Sequence, residues 1–271
     1  MKPLLGPKTQ LCMSLSARPS HFGTRFHNRL YELLELDFVY KAFTTTDLPA
    51  AIGGIRALGI RGCAISMPFK EEVIGLLDSL EPSAASIDSV NTIVNEGTTL
   101  VGHNTDYIAI ATLLDQAGLS PTTPFLLQGA GGMAKAVAAA LRDRGHQHGH
   151  IIARNASKGK ALAAQYGFAW ASAAEGLTAP LIINATPLGM AGADADKLAF
   201  SLPTIEAAKT VFEMVALPVE TPLVRTARQA GCTVISGADV GVLQAVEQFV
   251  LYTGKRPTPA QIQDAANVAR A

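Results

Sequence analysis

The chain has little of what staples or anchors a fold. Its 271 residues include three cysteines and one tryptophan, and only 16% of them are charged. Cys12, Cys63 and Cys232 lie far apart, a spacing that fits neither a disulfide framework nor a zinc motif. Each sits in apolar, strand-like sequence, so all three read as buried free thiols in a reducing cytosol. No apolar run reaches the ~18 residues that suggest a membrane span. The opening Met1-Lys2-Pro3-Leu4-Leu5 lacks a signal core and cleavage site, so a cytoplasmic location is expected. Excess charge is missing too: 22 basic residues balance 22 acidic ones. With no basic stripe, neither nucleic acid nor an anionic membrane is an expected partner.

What is abundant is apolar residues, at 48% of the chain. That excludes disorder, and the length fits one large or two modest domains. The first hundred residues alternate strand and helix signals. Strands are expected at Gln10–Leu15, Phe38–Phe43 and Cys63–Met67, and helices at about 21–36, 48–58 and 71–80. Val90–Val94 and Thr99–Gly102 read as a hairpin around Asn95-Glu96-Gly97, followed by a helix over about 107–118. After the Ser120–Pro124 break the pattern turns βαβ, with strands near 125–128, 150–153, 181–185, 210–215 and 233–236. That alternation predicts a parallel sheet covered on both faces. The tail from Ala238 reads as helix.

Gly129-Ala130-Gly131-Gly132-Met133-Ala134 follows one such strand and opens a helix. This is the setting of a dinucleotide turn. The first glycine turns the chain, the second admits the pyrophosphate, and the third position, Ala134, must be small for packing. The next strand ends Ala153-Arg154-Asn155, with Lys158 and Lys160 nearby and no acid to bind a ribose 2′-hydroxyl. Arg154 suits a 2′-phosphate, so NADP is expected over NAD. Lys70 follows a buried strand in Pro68-Phe69-Lys70, at the sheet edge where α/β proteins bind ligands. Asp106 stands where a strand pair gives way to a helix. A Lys/Asp pair can take the proton of an alcohol as hydride leaves. Taken alone, Asp106 also fits a helix N-cap and Lys70 a solvated helix start.

These motifs together resemble the shikimate dehydrogenase family over about residues 12–255. Ser14-Leu15-Ser16 resembles its Ser-x-Ser loop, and Ile65-Ser66-Met67-Pro68-Phe69-Lys70 its Val-Thr-x-Pro-Phe-Lys. Val90-Asn91-Thr92 and Gly102-His103-Asn104-Thr105-Asp106 match its two Asn-Thr motifs. Asn184-Ala185-Thr186-Pro187-Leu188-Gly189-Met190 and Gln244 match two later ones. The resemblance implies a Rossmann NADP domain (106–237) and an α/β substrate domain (1–105), the latter completed by C-terminal helices (238–271). It also implies a Lys70/Asp106 acid–base dyad. Ser14 and Ser16 would hold a carboxylate, and Ser66, Asn91 and Gln244 ring hydroxyls. The 129–134 turn, Arg154, Asn155 and Lys158 would bind NADP, with Thr186, Met190 and Gly237 bordering the nicotinamide. The expected partner is a shikimate-like cyclic hydroxy acid, taken by a monomer or homodimer. Quinate, or a non-catalytic NADP-binding regulator, is the alternative.

The pattern also breaks. The family's histidine before Ser-x-Ser is Met13, its pocket tyrosine is Ala216, its threonine is Ser66, and its Asn-Arg-Thr is Ala153-Arg154-Asn155. A lost tyrosine hydroxyl contact costs about 1 kcal/mol, far less than a lost dyad, so a working enzyme with an altered pocket is expected. His146, His148 and His150 read as a solvated loop rather than a metal site, and Trp170 as packing.

Overall fold

The computed structural model describes residues 4–271. The chain forms two compact units, one running to Ile108 and resuming at Val242, the other spanning Ala109–Gly241.

In the first unit the strands are β1 (Gln10–Leu15), β2 (Phe38–Phe43), β3 (Gly62–Ile65), β4 (Ser79–Leu80), β5 (Thr92–Asn95) and β6 (Leu100–His103). They make one sheet in the order β2-β1-β3-β5-β6-β4. β1 pairs parallel with β2 and β3, whereas β5 runs antiparallel to β3 and β6. The β5–β6 hairpin turns at Gly97, whose φ of 90° suits glycine. Helices α1 (Phe22–Leu33), α2 (Leu48–Ala57) and the short α3 (Pro82–Ala85) lie between the strands. Successive β1 side chains go to opposite faces. Cys12 packs with Phe26, Leu30, Tyr40 and Phe249, while Met13 packs with Ile52, Ile55 and Cys63. Met13 therefore fills core where the family pattern has its histidine.

The chain leaves the first unit within α4 (Thr105–Gln116). The second unit holds β7 (Phe125–Gln128), α5 (Gly132–Asp143), β8 (Gly149–Ile152), α6 (Ala156–Tyr166), β9 (Ala169–Ala171) and β10 (Leu181–Asn184). Then come α7 (Leu202–Glu206), β11 (Thr210–Glu213), α8 (Pro222–Gln229) and β12 (Thr233–Ile235). Its sheet is wholly parallel, ordered β12-β11-β10-β7-β8-β9. This is the doubly wound Rossmann order, with its switch point between β7 and β10. α9 (Gly237–Thr253) and α10 (Pro259–Arg270) end the chain.

One sequence expectation needs correction. The helix expected over 71–80 is a 3-10 turn at Glu72–Leu76 followed by β4. The Asp78 N–H donates to the Leu100 carbonyl (3.1 Å), and the Leu100 N–H to the Asp78 carboxylate (2.6 Å), so cross-strand pairing overrides helical periodicity. The expected C-terminal helices are α9 and α10, parted at Gly254 (φ 69°) and restarted by a Thr258/Gln261 capping box. The units part at 108/109 and 241/242. Asp106 thus belongs to the first unit, where its carboxylate has its partner.

Candidate active site

Lys70 and Asp106 arrive from different elements. β3 ends at Ile65, and the turn that follows is closed by the Phe69 N–H donating to the Ser66 carbonyl (3.0 Å). The Lys70 carbonyl then accepts from the Val90 N–H (2.8 Å), fixing the lysine against the next segment. Asp106 is the second residue of α4, and it is not the cap. The Asn104 side chain caps, accepting from the Tyr107 N–H at 3.0 Å. Freed from that task, the Asp106 Oδ2 meets the Lys70 Nζ at 2.7 Å, with the two side chains 29% and 16% exposed. The pair is half-buried and reachable.

Around it lies a cavity of about 310 Å³ lined by Ser14, Ser16, Ser66, Lys70, Asn91, Asp106 and Gln244 among others. All seven predicted substrate-side residues therefore share one cavity. Asn91 is 3% exposed, and its Oδ1 accepts from the Thr105 N–H (2.7 Å) and from the hydroxyls of Thr92 (2.8 Å) and Thr105 (3.0 Å). Its acceptor is thus saturated within the protein, which leaves the Nδ2 donor for a ligand. Gln244 is the reverse: its Nε2 donates to the Thr105 hydroxyl at 3.0 Å, leaving Oε1 for a ligand. One buried threonine thus sets the polarity of two amides.

Among the further lining residues, four with polar side chains carry no motif and escaped the sequence reading: Arg18, Ser20, Tyr40 and Gln248. The Tyr40 phenol hydrogen-bonds the Ser14 hydroxyl, and burial pushes its pKa well up, so it stays a neutral hydrogen-bonding partner. Gln248 donates to the Thr92 hydroxyl (3.0 Å) and the Asn91 carbonyl (3.3 Å). Its position four residues after Gln244, one turn along α9, is the signal that could have found it. His103 does not line the cavity.

The second unit carries its own cavity, about 740 Å³, lined by Gln128–Gly131, Ala153, Arg154, Asn155, Lys158 and Thr186 among others. Gly129 has φ 127°, and a Cβ there would stand 2.7 Å from the Ala185 carbonyl. Glycine alone lets β7 and β10 end this close together at the switch point. A Cβ at Gly131 or Gly132 would meet nothing within 4 Å, so open space lies before the first turn of α5. Gly131 caps that helix without a side chain, leaving its amides free for an anion. Arg154 and Lys158 are exposed on the same cavity with no acidic partner among the described residues. Asn155 caps α6, accepting from the Lys158 N–H at 3.0 Å. The donor set thus suits a dinucleotide with an extra ribose phosphate.

Not every expected cofactor residue lines that cavity. Gly132, Met133 and Ala134 do not, and neither do Met190 and Gly237. Ala134 is fully buried, which fits its role as the small packing position. A Cβ on Gly237 would come within 2.4 Å of the Val215 carbonyl, so this glycine admits the loop after β11. That loop hangs on Glu213, which is fully buried. Its carboxylate accepts from the Asn184 amide (2.9 Å), the Val215 N–H (3.0 Å) and the Thr221 hydroxyl (2.9 Å). Burial pushes its pKa up to about 7 against those donors. Trp170 packs as expected: its indole N–H donates to the Ala153 carbonyl (3.2 Å), and a Cβ on Gly159 would lie 2.3 Å from the ring. His146 is 4% exposed, its ring edge-on to Phe125, which corrects the reading of it as a solvated loop residue.

Residues 21–93 match the family model for the shikimate dehydrogenase substrate binding domain. A shikimate dehydrogenase-like protein of Haemophilus influenzae is 52% identical over 98% of this chain and 99% of its own. The shikimate dehydrogenase (NADP(+)) of Moorella thermoacetica is 35% identical over 88% of this chain and 85% of its own. A solved shikimate 5-dehydrogenase-like protein superposes with TM-score 0.97 at 51% identity, covering 99% of this chain and 100% of that one. The Thermus thermophilus shikimate 5-dehydrogenase, solved with NADP(H) and shikimate, gives 0.85 at 29% identity over 96% and 99%. By its sequence, its two sheets and its relatives, this chain belongs to the shikimate dehydrogenase family.

Proposed function

We propose that the protein catalyses the reversible, NADP-linked oxidation of shikimate to 3-dehydroshikimate. The observation that carries this reading is the Lys70–Asp106 pair at 2.7 Å in a cavity of hydroxyl and amide groups. Ser14 and Ser16 hold the substrate carboxylate. Ser66, the Asn91 donor and the Gln244 acceptor orient ring hydroxyls. The dyad takes the proton of the reacting hydroxyl during oxidation and returns it during reduction, a role worth ~10²–10⁴-fold. NADP, when bound, supplies the hydride acceptor. Gly129, Ala130, Gly131 and the first turn of α5, with Gly132 and Met133, cradle its pyrophosphate. Arg154, Asn155 and Lys158 hold the 2′-phosphate end, and Thr186, Met190 and Gly237 border the nicotinamide. Ala216, in place of the family's tyrosine, removes one hydroxyl contact, about fivefold in binding.

The test is the rate of NADP and NAD reduction with shikimate and quinate side by side, for wild type and Lys70→Ala. Turnover of shikimate with NADP, lowered ~10²–10⁴-fold in the variant, is the expected result. Equal rates for the two proteins would leave an NADP-binding regulator as the better reading. Faster turnover of quinate would move the substrate but keep the chemistry.

A further inference from the structure

The fixed charges of the 310 Å³ cavity do not cancel among themselves, and the excess is positive. Its lining holds only three ionisable side chains of fixed charge: Arg18, Lys70 and Asp106. Lys70 and Asp106 neutralise each other at 2.7 Å. Ser14, Ser16, Ser20, Asn91 and Gln244 are neutral. A substrate carboxylate bound there meets one uncompensated positive charge, and it is the Arg18 guanidinium. Arg18 is exposed, and no acid among the described residues engages it.

The local chain explains why the arginine lines the cavity. The stretch from Ser16 to His21 is irregular, running between β1 and α1. Its start is tied down: the Ser16 N–H donates to the Phe43 carbonyl (3.3 Å) and the Ala17 N–H to the Met67 carbonyl (3.2 Å). Pro19 stiffens the next step by fixing its φ. The segment therefore follows the cavity rim, and Ser14, Ser16, Arg18 and Ser20, spaced two residues apart, all line it. Phe22 and Gly23 of the first turn of α1 line the same cavity, and the helix has no side-chain cap and no acid in that turn. Among the described residues no acid pairs with the guanidinium, the cavity's one carboxylate, Asp106, being held by Lys70.

We propose that Arg18 is a specificity-determining residue, the counter-charge that clamps the substrate carboxylate beside Ser14 and Ser16. It fixes which end of the ring faces the Lys70–Asp106 pair. This rests on the dehydrogenase reading above and adds to it a carboxylate anchor of full charge. A guanidinium binds a carboxylate through two parallel N–H···O bonds, which a lone hydroxyl pair cannot match.

The experiment compares wild type, Arg18→Gln and Arg18→Lys, by calorimetric binding of shikimate and by steady-state rates. Shikimate is set against its methyl ester, which lacks the charge. We expect Arg18→Gln to weaken shikimate binding and raise KM roughly 10- to 100-fold, the effect of one charged hydrogen-bonded pair. kcat stays within about threefold, and KM for NADP is unchanged. Arg18→Lys restores part of the loss, and the ester binds wild type and Arg18→Gln alike. Shikimate binding equal in wild type and Arg18→Gln overturns the proposal while leaving the dehydrogenase intact. An equal loss for acid and ester overturns it as well, because the arginine then acts through loop structure. A wild type that neither binds nor turns over shikimate overturns the dehydrogenase reading, and this proposal with it. Arg18 is exposed on a loop, so unfolding of the variant is not expected, and a melting curve checks it.

Discussion

Asn91 and Arg154 show how a single side chain acquires a task. An amide on a surface is a generic hydrogen-bonder, whereas the Asn91 amide has its oxygen claimed by three donors and is left with one function, donation. That state is invisible in Val90-Asn91-Thr92 as a string of letters, because two of the donors come from Thr105. Arg154 is the opposite case. Its position one residue past Ala153, with no acid at the strand end, was enough to predict a phosphate partner, and the structure leaves it exposed on the cofactor cavity. Arg154→Gln is expected to weaken NADP binding about 10- to 100-fold, the effect of one charge-assisted hydrogen bond, and to leave NAD binding nearly unchanged. Fluorescence titration with the two cofactors measures this, and an equal loss for both would remove Arg154 from 2′-phosphate recognition.

At the level of elements, α9 matters more to the Lys70–Asp106 cavity than its distance along the chain suggests. Gln244 and Gln248 sit one turn apart and reach Thr105 and Thr92, so this helix braces β5 and the start of α4 from behind. Gln248→Leu removes a donor shared by the Thr92 hydroxyl and the Asn91 carbonyl. The expected cost is about 1–3 kcal/mol of stability, with KM for shikimate raised and kcat changed less. Denaturant unfolding and steady-state kinetics report the two effects, and a stable variant with unaltered KM would show that Gln248 only fills space. The periodicity of α9 was legible, because Val242, Leu243, Val246, Phe249 and Val250 form one stripe. Where that stripe packs was not, since β5 lies about 150 residues earlier and no local rule joins them.

Across the whole molecule, two buried ionisable groups, one in each unit, contribute pH dependences of opposite sign. His27, fully buried, stacks on Tyr40 with centroids 4.5 Å apart. Burial lowers its pKa to about 3, with Gln248 pulling the other way. The unfolded chain takes up this proton below about 6.5 while the folded one refuses it. Stability is therefore present above 6.5 and lost as pH falls, by up to ~1.4 kcal/mol per pH unit. Glu213 has the reverse sign. Folded, it holds its proton up to about 7, while unfolded it releases it above about 4.5. Its contribution is full below 4.5 and lost as pH rises to 7. Acidification from pH 6.5 to 4.5 is thus expected to lower amide protection factors in the first unit, once exchange is corrected for its intrinsic pH dependence, and His27→Phe to abolish most of that change. His103, also lowered by burial, contributes with the same sign. His146 opposes Glu213 in the second unit, so the Glu213 contribution is read as wild type minus Glu213→Gln. An exchange profile in His27→Phe that matches wild type over this range would refute the assignment.

The sequence by itself determined the β7–α5–β8 start of the cofactor unit, though not β9, α7 or α8. Its information is local: a strand, a glycine that must turn, a helix that opens an anion site, and an arginine one strand later. Such rules act over a few residues, so β7, α5 and β8 fall within a residue or so of their expected bounds. The dyad was legible as two conspicuous residues, but their distance was not. Only tertiary structure brings Lys70 and Asp106 to 2.7 Å, with Asn104 taking over the cap that would otherwise have occupied the aspartate. Tertiary structure also replaced the helix expected over 71–80 with a 3-10 turn and the short β4, because a sheet edge offered partners that helical periodicity did not. It brought Arg18, Tyr40 and Gln248 into the cavity with Ser14 and Lys70. None of the three belongs to a motif, because a cavity wall is built from side chains that are close in space, and spacing along the chain does not record that closeness.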